Sequence, residues 1–179
     1  MLYQRMVDVL LDNDGVYTET DGLLQDYYVS SAALGDGMLA VFGQALGIDE
    51  DLLLSKTTNH FSAMAAIHYP ALTTEPLEGQ LRCGAHQDSG TLTIVFEDAD
   101  GLEVLPRGSN VWQQVECPKD GLIVNLGDLM TIITNGRWES TPHRVRLPNT
   151  NKYKDKDKRE TDTETETDKG RLSIAWYAV

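Results

Sequence analysis

Cysteine is scarce: Cys83 and Cys117 are the only two in 179 residues. Two thiols cannot build the disulfide framework of a small secreted domain, so a reducing compartment, the cytoplasm, is the expectation. Positive charge is also short, with 15 Lys+Arg against 28 Asp+Glu and a formal net charge of -13. Such a chain lacks the basic face that nucleic-acid coating or adhesion to an anionic membrane requires. No apolar run approaches the ~20 residues that span a bilayer. The start, Met1 to Asp8, has no apolar stretch of signal-peptide length. Nothing in the residues implies a protein partner. What is present suffices for a folded domain: 41% hydrophobic residues and a length that suits one domain.

Residues 1–22 read as a short helix followed by turn residues, with Asp12-Asn13-Asp14-Gly15 and Asp21-Gly22 as breakers. From Leu23 to Gly47 apolar residues recur at helical spacing, and Gly47 is a natural stop. Gly35 and Gly37 interrupt the pattern, which allows two helices. Asp49-Glu50-Asp51 opens a short turn or helix. From Ser62 the pattern changes to short runs of β-formers: Met64–Tyr69, Thr91–Phe96, Leu102–Leu105, Val111–Val115, Leu122–Asn125, Met130–Thr134, His143–Leu147 and Leu172–Ala178. Their number and spacing predict an antiparallel sandwich or jelly roll. Leu92, Ile94 and Phe96 alternate with Thr93 and Val95, as in a strand with one buried face. Residues 151–169 hold six basic and seven acidic residues and no aliphatic one. Burial there cannot offset ordering entropy, so a solvated loop is expected.

The chemistry concentrates in Gly84-Ala85-His86-Gln87-Asp88. On a regular strand, residues two apart point to one face, so His86 and Asp88 can share a metal. His143, 55 residues beyond Asp88, offers a third donor. Two histidines and one carboxylate form the facial ligand set of non-haem Fe(II) oxygenases, which leaves positions open for a co-substrate and O2. A zinc site could use the same residue types. Arg171 and Ser173 share a face of the last strand: one gives a forked cation that suits a carboxylate, the other a hydroxyl. Asn125-Leu126-Gly127-Asp128 reads as a turn between strands, with Asp128 bonding backbone. Trp112 reads as core or rim packing. Cys83 falls on the face opposite His86 if the strand is regular, and reads as inert packing. His60 and His68 have no partner at ligand spacing, although His68 could line the site.

These motifs resemble the isopenicillin N synthase-like branch of the Fe(II)/2-oxoglutarate-dependent oxygenases. The resembling stretches are Ile67-His68-Tyr69-Pro70, His86 to Thr93, Gly101-Leu102-Glu103-Val104, Trp112, Asn125-Leu126-Gly127-Asp128, Thr134-Asn135-Gly136, Ser140 to Val145 and Arg171-x-Ser173. They cover over half the chain in the family's order. The resemblance implies a mainly β protein with N-terminal helices, its core a double-stranded β-helix (jelly roll). It implies residues 1–61 as the helical remnant of a larger N-terminal region, and 62–179 as the oxygenase domain carrying the loop 151–169. It implies Fe(II) on His86, Asp88 and His143, and 2-oxoglutarate on Arg171 and Ser173 with help from Tyr69. O2 is then the second co-substrate and ascorbate an accessory reductant. The reaction implied is hydroxylation, desaturation or cyclisation of a small organic molecule, with release of succinate and CO2. Ile67 stands where many 2-oxoglutarate users have Asn, as in isopenicillin N synthase, which uses no keto acid. The ends are shorter than the family's, and residues 151–169 lengthen the loop before Arg171. Two alternatives follow: an isopenicillin N synthase-like oxidase, and an inactive metal-binding fragment.

Overall fold

A computed structural model describes residues 17–57, 61–116, 119–148 and 170–179. Two helices come first, α1 (Tyr17–Leu46) and α2 (Glu50–Thr57). The strands are β1 (Ala63–Tyr69), β2 (Leu81–His86), β3 (Leu92–Glu97), β4 (Leu102–Val104), β5 (Gln113–Gln114), β6 (Ile123–Leu126), β7 (His143–Arg146) and β8 (Arg171–Ala178). A short helix, α3 (Asp128–Ile133), follows β6. The strands form two four-stranded antiparallel sheets, ordered β1-β8-β3-β6 and β2-β7-β4-β5. This is the expected jelly roll. Residues 151–169 and His60 lie outside the described residues.

The β1-β8-β3-β6 sheet is covered on both sides, not on one as the alternation of β3 suggests. Leu92, Ile94 and Trp176 point to one side and form a core with Leu39 of α1. The intervening residues Thr93, Val95 and Glu97, with Ser173, Ala175 and Tyr177, line a cavity towards the other sheet. The period of two therefore serves two interiors. Burial of the apolar side supplies the main driving force for this layer.

α1 is one helix, so of the two readings the sequence allowed the unbroken one holds. It runs through Gly22, Gly35 and Gly37. Gly35 is there for space: a Cβ would sit 2.8 Å from the Trp176 ring. Ser31, Gly35, Leu39, Gly43 and Leu46 form one buried line at three- and four-residue spacing. Gly22–Leu46 is long and apolar enough, by length and composition, to cross a membrane, which corrects the reading that no run approaches that length. In this fold its buried line meets the sheet. Gly47 ends the helix at φ 72°, with its N–H donating to the Gln44 carbonyl and that of Ile48 to the Gly43 carbonyl.

Residues 130–134, expected as a strand, are largely helical. Backbone contacts decide this. The Asp128 N–H donates to the Asp88 carbonyl, and that of Leu129 to the Gly90 carbonyl. The chain is turned at its start, and only Met130 of the helix is buried. Asn135 and Gly136 follow at positive φ and close the turn.

Candidate metal centre

His86 is the last residue of β2, and His143 opens β7 directly opposite it. Asp88 lies beyond the end of β2, so strand alternation does not place it beside His86. The backbone after β2 does: the Asp88 carbonyl accepts from the Asp128 N–H at 2.7 Å, and the Gly127 N–H donates to the Thr91 carbonyl. The chain packs so closely there that a Cβ on Gly127 would fall 2.2 Å from the Gly90 carbonyl oxygen.

The three side chains converge. Asp88 Oδ1 is 3.8 Å from His86 Nε2 and 3.6 Å from His143 Nε2. All three donor atoms lie within 4.8 Å of one another. The imidazole rings sit 4.3 Å apart, centre to centre. Each ring is oriented through its other nitrogen. His86 Nδ1 donates to the Gly84 carbonyl at 2.9 Å, and His143 Nδ1 to the Thr141 carbonyl at 3.1 Å. A carbonyl only accepts, so Nδ1 carries a proton and Nε2 is the ring nitrogen turned towards Asp88. The other carboxylate oxygen is held too: Asp88 Oδ2 accepts from Thr93 Oγ1 at 2.6 Å and Asn125 Nδ2 at 2.8 Å. Oδ1 remains for an ion. Such partners fix ligand orientation and strengthen the donor set. Two imidazoles and one carboxylate, each secured from behind, fit Fe(II).

The triad opens onto a cavity of about 420 Å³ between the sheets. Ile67, Val95, Leu102, Val104 and Ile123 give it apolar walls, and Tyr69 and Ser173 line it as well. Arg171 pairs with Tyr69 in the β1–β8 register, and its guanidinium lies 5.6 Å from the Tyr69 ring centre. Burial pushes the Tyr69 phenol up, with a further push from Cys83 and a pull back from Arg171. The phenol therefore stays protonated and able to donate. His68 is exposed, and its parity on β1 turns it from the cavity side of Ile67 and Tyr69. Trp112 is half-buried, with the Arg144 guanidinium 4.2 Å from its ring centre.

Cys83 corrects its expectation. It lines the cavity and its Sγ is 3.8 Å from His86 Nδ1. Register shifts between Leu81 and Cys83, and between Cys83 and His86, explain this. Each inserts one residue into β2, so an odd spacing returns to the same face. Asn125, expected in a turn, lies in β6 and holds Asp88. Thr93 and Glu97 are further site residues that the sequence reading does not single out. Alternation with Val95 puts both on the interior face once the strand is extended to residue 97.

Residues 60–176 match the family model of the 2OG-Fe(II) oxygenase superfamily, and the chain belongs to that family. Among curated relatives, the "2-oxoglutarate-Fe(II) type oxidoreductase hxnY" of Emericella nidulans is 35% identical over 67% of this chain and 35% of its own length. The "2-oxoglutarate-dependent dioxygenase gloF" of Glarea lozoyensis is 32% identical over 73% of this chain and 40% of its own. The crystal structure of a full-length Neurospora crassa protein in complex with alpha-KG superimposes with a TM-score of 0.74 at 26% identity, covering 90% of this chain and 46% of that one. The chain thus spans less than half the length of these relatives. Fe(II) and 2-oxoglutarate are the family's cofactors, and its substrates are small molecules.

Proposed function

We propose that the chain carries the iron- and 2-oxoglutarate-binding centre of a dioxygenase that oxidises a small organic molecule and releases succinate and CO2. One observation carries this reading: His86, Asp88 and His143 present three oriented donor atoms to one point on a cavity wall. Bound Fe(II) would supply O2 activation and electron transfer, chemistry that no side chain here provides. The protein's residues do the rest. His86, Asp88 and His143 would hold the metal, and three protein donors would leave positions for other ligands. Arg171, Ser173 and Tyr69 gather at the β1–β8–β3 end of the cavity, where a fork of N–H donors and two hydroxyls suit the far carboxylate of the keto acid. The apolar walls limit water around the reacting carbon.

The relatives' names carry 2-oxoglutarate, which favours a keto-acid co-substrate over the oxidase alternative. A reducing cytoplasm suits both Fe(II) and the free thiol of Cys83 beside the centre. The substrate is to enter as a small molecule, without a nucleic-acid, membrane or protein partner. The test supplies Fe(II), O2 and 2-oxoglutarate with a panel of small organic acids, phenolics and amino-acid derivatives. Succinate formation that needs iron and O2 supports the reading. Turnover that continues without O2 would contradict it and favour a hydrolytic metal site.

A further inference from the structure

Arg171 is the expected anchor for the co-substrate's far carboxylate, yet its guanidinium is already engaged. Nε donates to the Ala99 carbonyl at 3.1 Å and Nη1 to Ser173 Oγ at 2.5 Å. Nη2 forms an ion pair with Glu97 Oε1, and the Arg171 side chain is 0% exposed. The cavity wall at this end includes Glu97, Tyr69, Ser173 and Ile67, and the buried Arg171 is not part of it. Register explains the arrangement: Ser173 lies across from Glu97 on one side and Ile67 on the other, and Arg171 follows two residues away on the same face.

An entering carboxylate therefore meets another carboxylate before it meets the guanidinium. Two anions competing for one buried cation repel each other strongly where water is scarce. The geometry points to Glu97 as a positioning residue: it occupies Arg171 as an internal carboxylate and yields to 2-oxoglutarate by taking up a proton. The exchange balances with one proton per keto acid. Glu97 becomes a neutral acid whose O–H can donate to the incoming carboxylate, and Arg171 Nη2 passes from Glu97 to the ligand. The inference rests on the co-substrate reading above.

The surroundings of Glu97 favour its neutral form on balance. Arg171 and Ser173 come from β8, Tyr69 from β1, and Asp98 and Asp100 from the turn after β3, with Cys83 beyond Tyr69. Burial pushes the Glu97 carboxyl above its ordinary 4.5; Arg171 pulls it back, and Asp100 and Asp98 add to the rise. An acid with a raised pKa takes up its proton more readily, and the protonated form is lost as pH rises through that raised value.

The test is anaerobic calorimetric titration of the Fe(II)-loaded full chain with 2-oxoglutarate between about pH 6 and about pH 8, in two buffers of different ionisation enthalpy. Wild type should bind with net proton uptake, its affinity falling by up to about tenfold per pH unit above the Glu97 pKa. Glu97→Gln should bind more tightly at the upper end of the range and take up no proton. Effects of pH on the iron site itself are common to both proteins and cancel in their ratio. Equal pH profiles for the two proteins, without proton uptake by wild type, would overturn the role of Glu97 and leave the co-substrate reading standing. Absence of keto-acid binding by both iron-loaded proteins would overturn both. Should Glu97→Gln fail to fold, the proton uptake of wild type decides alone.

Discussion

Asp88 shows how single residues make this centre. Its two oxygens have different partners: Oδ2 accepts from Thr93 and Asn125, and Oδ1 faces both histidines. The carboxylate is thus aimed before any ion arrives. Asn125→Ala removes one of the two donors that aim it and leaves β6 otherwise unchanged. We expect Fe(II) affinity to fall by about 10–100-fold, with little change in melting temperature. Competition with a coloured chelator measures the first quantity and circular dichroism the second. Unaltered iron affinity would show that Thr93 alone suffices. That His86, Asp88 and His143 belong together was legible in the sequence, because their residue types and order carry the chemistry, and the structure brings them to one point. Asn125 was not, because a side-chain amide serves a turn and a hydrogen bond equally well. Glu97 was not, because its role depends on which buried cation lies opposite, and only strand register decides that.

Among the elements, the tightest is the junction of β6 and α3. Gly127 has an ordinary extended backbone, φ -100° and ψ 178°. Space, not conformation, demands glycine there, since any Cβ would overlap the Gly90 carbonyl. Gly90 is itself pressed against the Ala178 carbonyl oxygen, 2.2 Å from where its own Cβ would lie. Three chain segments thus meet without side chains between them, and one of them carries Asp88. Gly127→Ala should cost about 1–3 kcal/mol of stability and weaken iron binding as well, because the displaced carbonyl belongs to the loop that presents the carboxylate. Thermal unfolding and iron titration of one sample test both effects. A stable variant with reduced iron binding would separate site geometry from packing; a variant unchanged in both would contradict the account of the junction.

The same scale explains what the sequence left obscure. Strand existence was legible from short, largely apolar runs next to Gly or Pro, as in β1, β3 and β8. Helix α3 was not, because Thr131, Ile132 and Ile133 favour strand while backbone bonds to residues 88–90 impose a turn. The continuity of α1 was not, because a glycine that admits Trp176 looks the same in sequence as one that ends a helix. The bulges in β2 hid the position of Cys83, since alternation holds only while register does.

At the scale of the molecule, the fold is a device for joining distant segments at one cavity. His86 and Asp88, His143, and the Arg171–Ser173 pair come from three separate stretches of chain, and the two sheets close on the space they line. The β1-β8-β3-β6 sheet makes this possible by packing one face on α1 and leaving the other free for chemistry. Iron bound at one end of the cavity and a keto acid bound at the other would meet only if both sheets are in place. Their joint signal therefore reports on the whole arrangement.

The most direct test is an anaerobic titration of the purified chain with Fe(II) and then 2-oxoglutarate, followed by visible absorption. The account predicts a metal-to-ligand charge-transfer band on addition of the keto acid, and its absence in His86→Ala, which retains only two of the three donors. An equal band in His86→Ala, or iron bound by wild type with no band at saturating 2-oxoglutarate, would contradict it.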